Sequence, residues 1–332
     1  MNILKGKLKG LQAVCNEQGI ITAAAMDQRG SLQTAIAKAK GVKVEEVTAD
    51  MLSEFKTIVT KVLTPYASAI LLDPEYGLPA AKLRSKNAGL LLAYEKTGYD
   101  TTAPGRIPDF IEGYSARRLK EEGADCVKVL LYYTPFEEKA VNQKKHDIIE
   151  AIGKECEDEE IPFFLELVGY DPKGGDAKDI AYAKSKPDVV ILGMEEFSKD
   201  RYRVDVLKVE IPIDVKFLKG SIAFNGNEYA YDLEQAKAIF KRQDACTNKP
   251  FIYLSAGVSD EIFRESLNLA ISASVGFSGV LCGRATWKDG IVVYAKEGAK
   301  AFHAWMLDRG VKNIQALNAV VEKGAKSIRY IA

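Results

Sequence analysis

The chain alternates short apolar runs with longer amphipathic segments, and this alternation restricts its fold more than any other feature. The eight apolar runs are residues 20–27, 67–74, 90–95, 124–133, 162–170, 205–212, 250–257 and 277–284. Strands that are almost continuously apolar and are joined through helices are typical of parallel sheets covered on both faces. Eight such units without a break in composition predict an α/β fold, a (β/α)8 TIM barrel, as a single domain over residues 1–332.

The segments between the runs have the helical spacing that this fold requires. In residues 48–63, apolar side chains recur three and four positions apart behind Thr48, a candidate N-cap. Another helix is predicted to start directly after a strand, with Ser259 or Asp260 as its N-cap. We interpret the run VVILGMEEF, residues 189–197, as helix because a second strand there would break the alternation.

The N-terminal segment predicts an amphipathic helix and not a signal peptide. Its apolar residues recur at helical spacing, and it lacks the continuous apolar region of a signal peptide; these residues are Leu4, Leu8, Leu11 and Val14. Either this helix or the segment HAWMLDRG, residues 303–310, could mediate a homo-oligomer, and each could equally cap the barrel. The five cysteines are scattered and form no C-x-x-C pair, which is typical of a reducing compartment, so we expect a cytoplasmic protein.

The charge balance argues against two classes of partner. Lys plus Arg and Asp plus Glu both number 46, so no net charge draws the chain to nucleic acid or to a membrane. No apolar run approaches the length that crosses a bilayer. The only histidines, His146 and His303, are too few for a histidine-rich metal site. Any anionic ligand must therefore be held by local charge.

Charged residues stand inside three consecutive predicted strands. Lys128 lies in CVKVLL, Glu166 in FFLELV and Lys208 in DVLKVE, each flanked by large apolar residues. Neighbouring strands lie about 4.8 Å apart, so the three side chains can lie side by side on one face, either inside or outside a barrel. Asp27 and Glu95 end the first and third strands, where barrels place their chemistry. A structural ion-pair network is the alternative interpretation, since buried pairs also occur in cores.

Two lysines and a carboxylate are suited to carbonyl chemistry. An unperturbed lysine has a pKa near ~10.4 and is almost fully protonated at neutral pH. A second ammonium about 6 Å away would disfavour its charge by about 3 kcal/mol at an effective dielectric constant of ~20, and burial would act in the same direction. One of the lysines could then supply a free amine for a Schiff base, with the glutamate as general acid and base.

A second group of residues predicts phosphate binding. LSAGVSD places Ser255 and Gly257 between a strand and a helix, and LCGRATW places Gly283 and Arg284 after the next strand. Helix N-termini and arginines bind phosphate, and barrels commonly hold one after their last two strands. For either motif alone, a plain strand-to-helix turn that uses glycine for its backbone freedom is the alternative. The two motifs at adjacent strand ends together favour phosphate.

The chain resembles the class I tagatose 1,6-bisphosphate aldolases of Gram-positive bacteria in AAAMDQRGSL, KVLLYY, LELVGYD, DVLKVEIP, LSAGVSD and LCGRATW. The likeness covers essentially the whole chain. It implies reversible cleavage of a phosphorylated sugar, a ketohexose 1,6-bisphosphate, to dihydroxyacetone phosphate and glyceraldehyde 3-phosphate, without metal or other cofactor. Tagatose and fructose 1,6-bisphosphate differ only in configuration at C4, which no motif distinguishes, so we expect both to be substrates.

The resemblance also implies a role for each charged residue. Lys208 would form the Schiff base, Glu166 would carry protons, and Lys128 would be the supporting ammonium. Asp27 would handle hydroxyl and carbonyl protons near C3 and C4. Glu95 could act with them or only stabilise them.

The resemblance implies substrate-binding residues as well. Four residues would hold the phosphate next to the imine: Ser255, Gly257, Gly283 and Arg284. Gln28 and Arg29 would face substrate hydroxyls or the second phosphate. Animal fructose-bisphosphate aldolases use a tyrosine at the C-terminus, but we assign no role to Tyr330, which is third from last here.

Two other functions stay open on the residues alone. A phosphosugar isomerase or epimerase would use Glu166 as its base and the lysines only as electrophiles. A non-catalytic phosphosugar sensor would need the phosphate-binding residues but would leave Lys128 and Lys208 unexplained.

Overall fold

The computed structural model is a closed barrel of parallel strands surrounded by helices, and it describes residues 3–96, 105–174 and 179–328. The strands are β1 (Ile21–Met26), β2 (Ala69–Leu72), β3 (Gly89–Ala93), β4 (Cys126–Tyr132), β5 (Phe163–Val168), β6 (Val206–Val209), β7 (Phe251–Tyr253) and β8 (Gly279–Cys282). They follow one another around the barrel in chain order, and β8 pairs with β1 to close it. The predicted (β/α)8 barrel is confirmed.

Helices separate the strands, as the spacing of apolar residues predicted. Those in the described ranges are α1 (Lys5–Val14), α2 (Gly30–Lys40), α3 (Ala49–Leu63), α4 (Leu78–Ala81), α5 (Ala116–Glu121), α6 (Lys139–Asp158), α7 (Ile180–Phe197), α8 (Leu233–Ala245), α9 (Asp260–Ser272), α10 (Arg284–Trp287), α11 (Gly290–Trp305) and α12 (Val311–Gly324). The run at 189–197 lies in α7, and Thr48 and Ser259 cap α3 and α9. In these parts of the chain, no helix combines the length and the apolar character of a membrane span.

Alternation along the strands determines which residues face the barrel interior. The interior holds its own apolar cluster, which includes Cys126 of β4, Phe164 of β5 and Val206 of β6. Since successive strand residues point to opposite faces, the charged residues two positions further along each of these strands also point inward. Those residues are Lys128, Glu166 and Lys208.

Helix α1 closes the end of the barrel at which the strands begin. Its Leu11 and Val14 belong to the interior cluster. Its Gly10 lies so close to the barrel that a Cβ there would stand 2.4 Å from the carbonyl oxygen of Asp125. The carboxyl ends of the strands therefore form the open end.

Candidate active site

A cavity of about 790 Å³ opens at the carboxyl ends of the strands. Most of the residues predicted from the sequence line it, namely Asp27, Gln28, Arg29, Glu95, Glu166, Lys208, Ser255, Gly257, Gly283 and Arg284. Lys128 is fully buried beneath the wall of this cavity.

The strand register explains how the charged side chains meet. Glu166 and Lys208 are direct partners across β5 and β6. Lys128 is the partner of Phe164, two residues deeper on β5, and its long side chain extends toward the open end. One oxygen of Glu166 lies 2.8 Å from Nζ of Lys208, and the other lies 2.8 Å from Nζ of Lys128. The structure thus brings the three residues together, with the carboxylate as the bridge.

Lys128 is surrounded by carboxylates, which changes its expected effect on Lys208. Its ammonium donates hydrogen bonds to Asp27 at 2.8 Å and to Glu95 at 2.6 Å, in addition to its contact with Glu166. Burial disfavours this charge, but the carboxylates outweigh burial and raise the pKa of Lys128 well above its ordinary value. The expectation from the sequence considered only the repulsion between the two ammonium groups, and in the structure nearby negative charges offset that repulsion.

Lys208 has an acceptor for its proton in direct contact. Its side chain is 4% exposed, and its Nζ faces Glu166. Burial tends to raise the pKa of Glu166, but the ammonium groups of Lys128 and Lys208 outweigh burial and lower it. The same balance holds the pKa of Asp27 far below its usual range. Both carboxylates are therefore ionised at neutral pH and able to accept protons.

The ends of β7 and β8 form a cradle beside the end of β6. Ser255 is buried there, and it is followed by Ala256 and Gly257, both in the left-handed region with φ of 48° and 79°. A Cβ on Gly257 would stand 3.0 Å from the guanidinium carbon of Arg284, so glycine leaves that group room. Arg284 is exposed to the cavity, where it can meet an anion.

Gln28 and Arg29 differ in how strongly other residues hold them. Gln28 lies at the cavity wall, and its amide donates to Asp27 at 3.2 Å. Arg29 is 3% exposed, pairs with Glu75 and donates to the carbonyl oxygen of Glu95 at 2.6 Å. Arg29 therefore ties the end of β1 to the end of β3, and its predicted contact with substrate stays a prediction.

Further side chains at this site were not predicted from the sequence, among them Tyr132, Lys56 and Asp73. Tyr132, the last residue of β4, lines the cavity, and burial raises its pKa. Lys56 of α3 and Asp73, which follows β2, form a fully buried ion pair at 2.7 Å next to the end of β1. Each had a signal, because Tyr132 and Asp73 are polar residues at strand ends and Lys56 interrupts the apolar stripe of α3. Tyr330 lies outside the described residues.

The arrangement is suited to proton transfer beside a buried amine. The carboxylates of Asp27 and Glu95 converge on the Lys128 ammonium, so a side chain already supplies the positive charge at their centre. Over the described ranges, no group of His, Cys, Asp and Glu side chains is arranged to hold a metal ion. An amine, a carboxylate in contact with it and an arginine that lines the same cavity are the groups that covalent chemistry on a phosphorylated carbonyl compound requires.

Comparisons with known proteins connect this site to a chemistry. A family model described as DeoC/LacD family aldolase matches residues 21–289. Tagatose 1,6-diphosphate aldolase 1 of Enterococcus faecalis is 51% identical over 326 residues, which cover 98% of both chains. The tagatose 1,6-diphosphate aldolases of Listeria monocytogenes and Streptococcus pneumoniae are 49% and 48% identical over 98% of this chain, and the matches cover 94% and 98% of theirs.

Solved structures share the fold at much lower sequence identity. An archaeal fructose 1,6-bisphosphate aldolase matches with a TM-score of 0.59 and 14% identity over 96% of this chain and 99% of its own. Fructose-bisphosphate aldolase from Plasmodium falciparum matches with a TM-score of 0.66 and 14% identity over 96% of each chain. These two likenesses concern the barrel fold alone.

Proposed function

The chain belongs to the DeoC/LacD family of aldolases, and we propose that it is a class I aldolase that cleaves tagatose 1,6-bisphosphate through a Schiff base on Lys208. The contact of 2.8 Å between Lys208 and Glu166, at the floor of an open cavity, is the observation that carries the proposal. The names of the relatives support the substrate. Fructose 1,6-bisphosphate is a second substrate, because it differs only in the configuration at C4.

Imine formation begins with a proton transfer inside the contacting pair. Glu166 takes a proton from the Lys208 ammonium, and the free amine adds to the C2 ketone of the substrate. The protonated Glu166 then donates to the C2 hydroxyl of the carbinolamine, which leaves as water. The result is a protonated imine at C2 and an ionised Glu166.

Scission of the C3–C4 bond needs a base at the C4 hydroxyl. Asp27, held by Lys128, removes that proton as the electron pair of the bond moves into the imine. Glyceraldehyde 3-phosphate leaves, and an enamine stays on Lys208. Asp27 returns its proton to C3, and hydrolysis of the imine releases dihydroxyacetone phosphate.

The cradle after β7 and β8 anchors the phosphate on C1 and so places C2 over Lys208. Four residues form this anchor: Ser255, Gly257, Gly283 and Arg284. Fixing the reacting carbon beside the amine lowers the entropic part of the barrier. Gln28 and Arg29, at the cavity wall, face the substrate hydroxyls or the second phosphate.

The proposal includes a cytoplasmic setting and a phosphorylated sugar as the small-molecule partner. All five cysteines are free thiols, which suits a reducing compartment. An isomerase or epimerase would also use Glu166 as a base, but membership of an aldolase family disfavours it.

Lys208→Met tests the proposal in a cleavage assay with tagatose 1,6-bisphosphate. Methionine keeps the bulk of the side chain but removes the amine, so we expect kcat to fall by more than about 10⁴-fold. Lys7→Met is the matched control, because Lys7 is another buried lysine paired with a carboxylate, Asp205, at the closed end of the barrel. Circular dichroism verifies that both variants fold. Substantial turnover by folded Lys208→Met would refute the assignment.

A further inference from the structure

We propose that Lys56, which lies outside the cavity wall, is a positioning residue that fixes the carboxylate of Asp27. This inference rests on the proposed function, because it concerns the group that takes the C4 hydroxyl proton. Lys56 belongs to α3, on the outside of the barrel, and no substrate atom needs to touch it.

Lys56 holds the backbone on both sides of Asp27. Its Nζ donates a hydrogen bond to the carbonyl oxygen of Met26 at 2.7 Å and another to that of Gln28 at 2.6 Å. A third contact of 2.7 Å pairs the same ammonium with Asp73. A single cation therefore binds the residue before Asp27 and the residue after it.

The backbone that Lys56 holds lies in a gap between two regular elements. Strand β1 ends at Met26 and α2 begins at Gly30, so residues 27–29 belong to neither. Backbone carbonyls that are buried in such a gap need a partner, and the lysine is that partner. The direction in which the Asp27 side chain leaves the backbone therefore depends on Lys56.

Asp73 holds Lys56 in turn. Both side chains are 0% exposed. One carboxylate oxygen of Asp73 accepts a hydrogen bond from the backbone N–H of Tyr76 at 2.8 Å, which orients the group. Burial lowers the pKa of Lys56, while the charge of Asp73 opposes that effect.

Packing and stability alone do not explain why a lysine occupies this position. Helix α3 already packs on the barrel through an apolar stripe that includes Phe55, Val59 and Val62. Apolar residues of similar volume often replace a buried ion pair without loss of stability. An apolar side chain could not bind the two carbonyl oxygens or place a positive charge beside Asp27.

The charge of Lys56 also acts on Asp27. Burial raises the pKa of the Asp27 carboxyl, and Lys56 is one of the ammonium groups that lower it. The charged groups that face these two residues are Lys128 from β4, Glu166 from β5, Lys208 from β6, Arg29 after β1, Asp73 after β2 and Glu95 after β3. Removal of Lys56 should therefore raise the pH at which Asp27 takes up a proton.

A matched pair at the closed end of the barrel provides the control. Lys7 and Asp205 lie 2.7 Å apart, with side chains that are 6% and 13% exposed. Asp205 also accepts a backbone hydrogen bond, from Phe163 at 2.8 Å. Like Lys56 and Asp73, this pair joins a helix lysine to a carboxylate that accepts a backbone hydrogen bond, but it is slightly less buried and lies at the closed end of the barrel, far from the cavity.

The test compares two double variants, Lys56→Met/Asp73→Asn and Lys7→Met/Asp205→Asn. Changing both partners avoids an uncompensated buried charge, and asparagine can still accept the backbone hydrogen bond. We expect the first variant to lose roughly 10- to 100-fold in kcat for cleavage, because a small misplacement of a catalytic group is costly. Its KM should stay within about twofold, and the acid limb of its pH–kcat profile should move to higher pH. The second variant should keep kcat and the profile of the wild type.

Lys56→Arg separates position from charge. Arginine keeps the positive charge but presents a planar group, which cannot place one nitrogen against both carbonyl oxygens. We expect kcat to fall while the acid limb stays in place. An unchanged kcat, with the acid limb also in place, would show that only the charge matters and would overturn the positioning role.

Borohydride trapping with dihydroxyacetone phosphate distinguishes failure of this inference from failure of the proposed function. Trapping needs an imine on Lys208 but no proton removal at C4, so Lys56→Met/Asp73→Asn should trap the ketone as fast as the wild type. Unchanged kcat in that variant, or an equal loss in both double variants, would overturn the role of Lys56 and leave the adduct intact. Absence of the adduct in the wild type would overturn the proposed function and this inference with it.

Discussion

Glu166 is the residue on which both lysines of the site depend. Its oxygens contact Lys128 and Lys208 at 2.8 Å each, so it compensates one permanent cation and lies where it can exchange a proton with the other. The charge of Lys128 helps to keep Glu166 ionised until it takes that proton. The nucleophilic amine can therefore be made by a local transfer and need not exist free beforehand.

Glu166→Gln should slow imine formation by about 10²- to 10⁴-fold, because glutamine cannot take the proton from Lys208. The rate at which dihydroxyacetone phosphate becomes trappable by borohydride measures this step. Glu95→Gln is the matched control, since Glu95 lies within ion-pair distance of Lys128 but not of Lys208. The control should slow trapping far less. Equal slowing in the two variants would contradict the role given to Glu166.

At the scale of elements, the strands were predictable, but their register was not. All eight observed strands overlap the apolar runs of the sequence. The register comes from hydrogen bonds between strands that are distant along the chain, and the pattern within one strand does not fix it. The meeting of Lys128, Glu166 and Lys208 could still be anticipated, because these residues lie inside three consecutive predicted strands. The convergence of Asp27 and Glu95 on Lys128 could not.

Gly10→Ala in α1 should destabilise the protein without changing its chemistry. The added Cβ would stand 2.4 Å from the carbonyl oxygen of Asp125, so α1 must shift away from the barrel. We expect a loss of roughly 1–3 kcal/mol in the free energy of unfolding, measured by urea denaturation. The kcat of the folded enzyme should not change, because the cavity lies at the other end.

Gln12→Ala, on the exposed face of the same helix, is the control for this prediction. It should change the free energy of unfolding by less than about 0.5 kcal/mol. If Gly10→Ala kept the stability of the wild type, or lowered kcat while remaining folded, the role of α1 as a structural cap would be wrong.

At the scale of the whole molecule, a chain without net charge encloses several buried cations. Among the residues that the structure describes, five lysines are at most 5% exposed: Lys7, Lys56, Lys128, Lys145 and Lys208. Each has an oxygen partner in a carboxylate or a backbone carbonyl. Composition counts a buried ammonium and an exposed one alike. It therefore argued against nucleic acid as a partner but could not identify Lys56, whose partners are brought together only by the folded barrel.

Stability should fall steeply below about pH 4. Burial raises the pKa values of Asp27 and Glu166, but neighbouring ammonium groups outweigh burial and lower both. Their contribution is therefore present above the unfolded values near ~4 and is lost as the pH falls through the folded values. Lys128 has a raised pKa, so its contribution is complete below ~10.4 and is lost only at higher pH.

The urea concentration at the midpoint of unfolding, measured at about pH 7, 5 and 3, reports how stability depends on pH. Asp27→Asn removes one of the lowered carboxyl groups and should make the fall between the two lower pH values shallower. Stability that rises on acidification, or a fall that is equally steep in Asp27→Asn, would contradict the assignment of these ion pairs.

A covalent imine on Lys208 is the central claim, and mass spectrometry after borohydride reduction with dihydroxyacetone phosphate tests it most directly. We predict one adduct with the mass of the reduced ketone, located on the peptide that contains Lys208 and absent from Lys208→Met. An adduct on Lys128, or an enzyme that cleaves its substrate yet forms no adduct, would contradict the account.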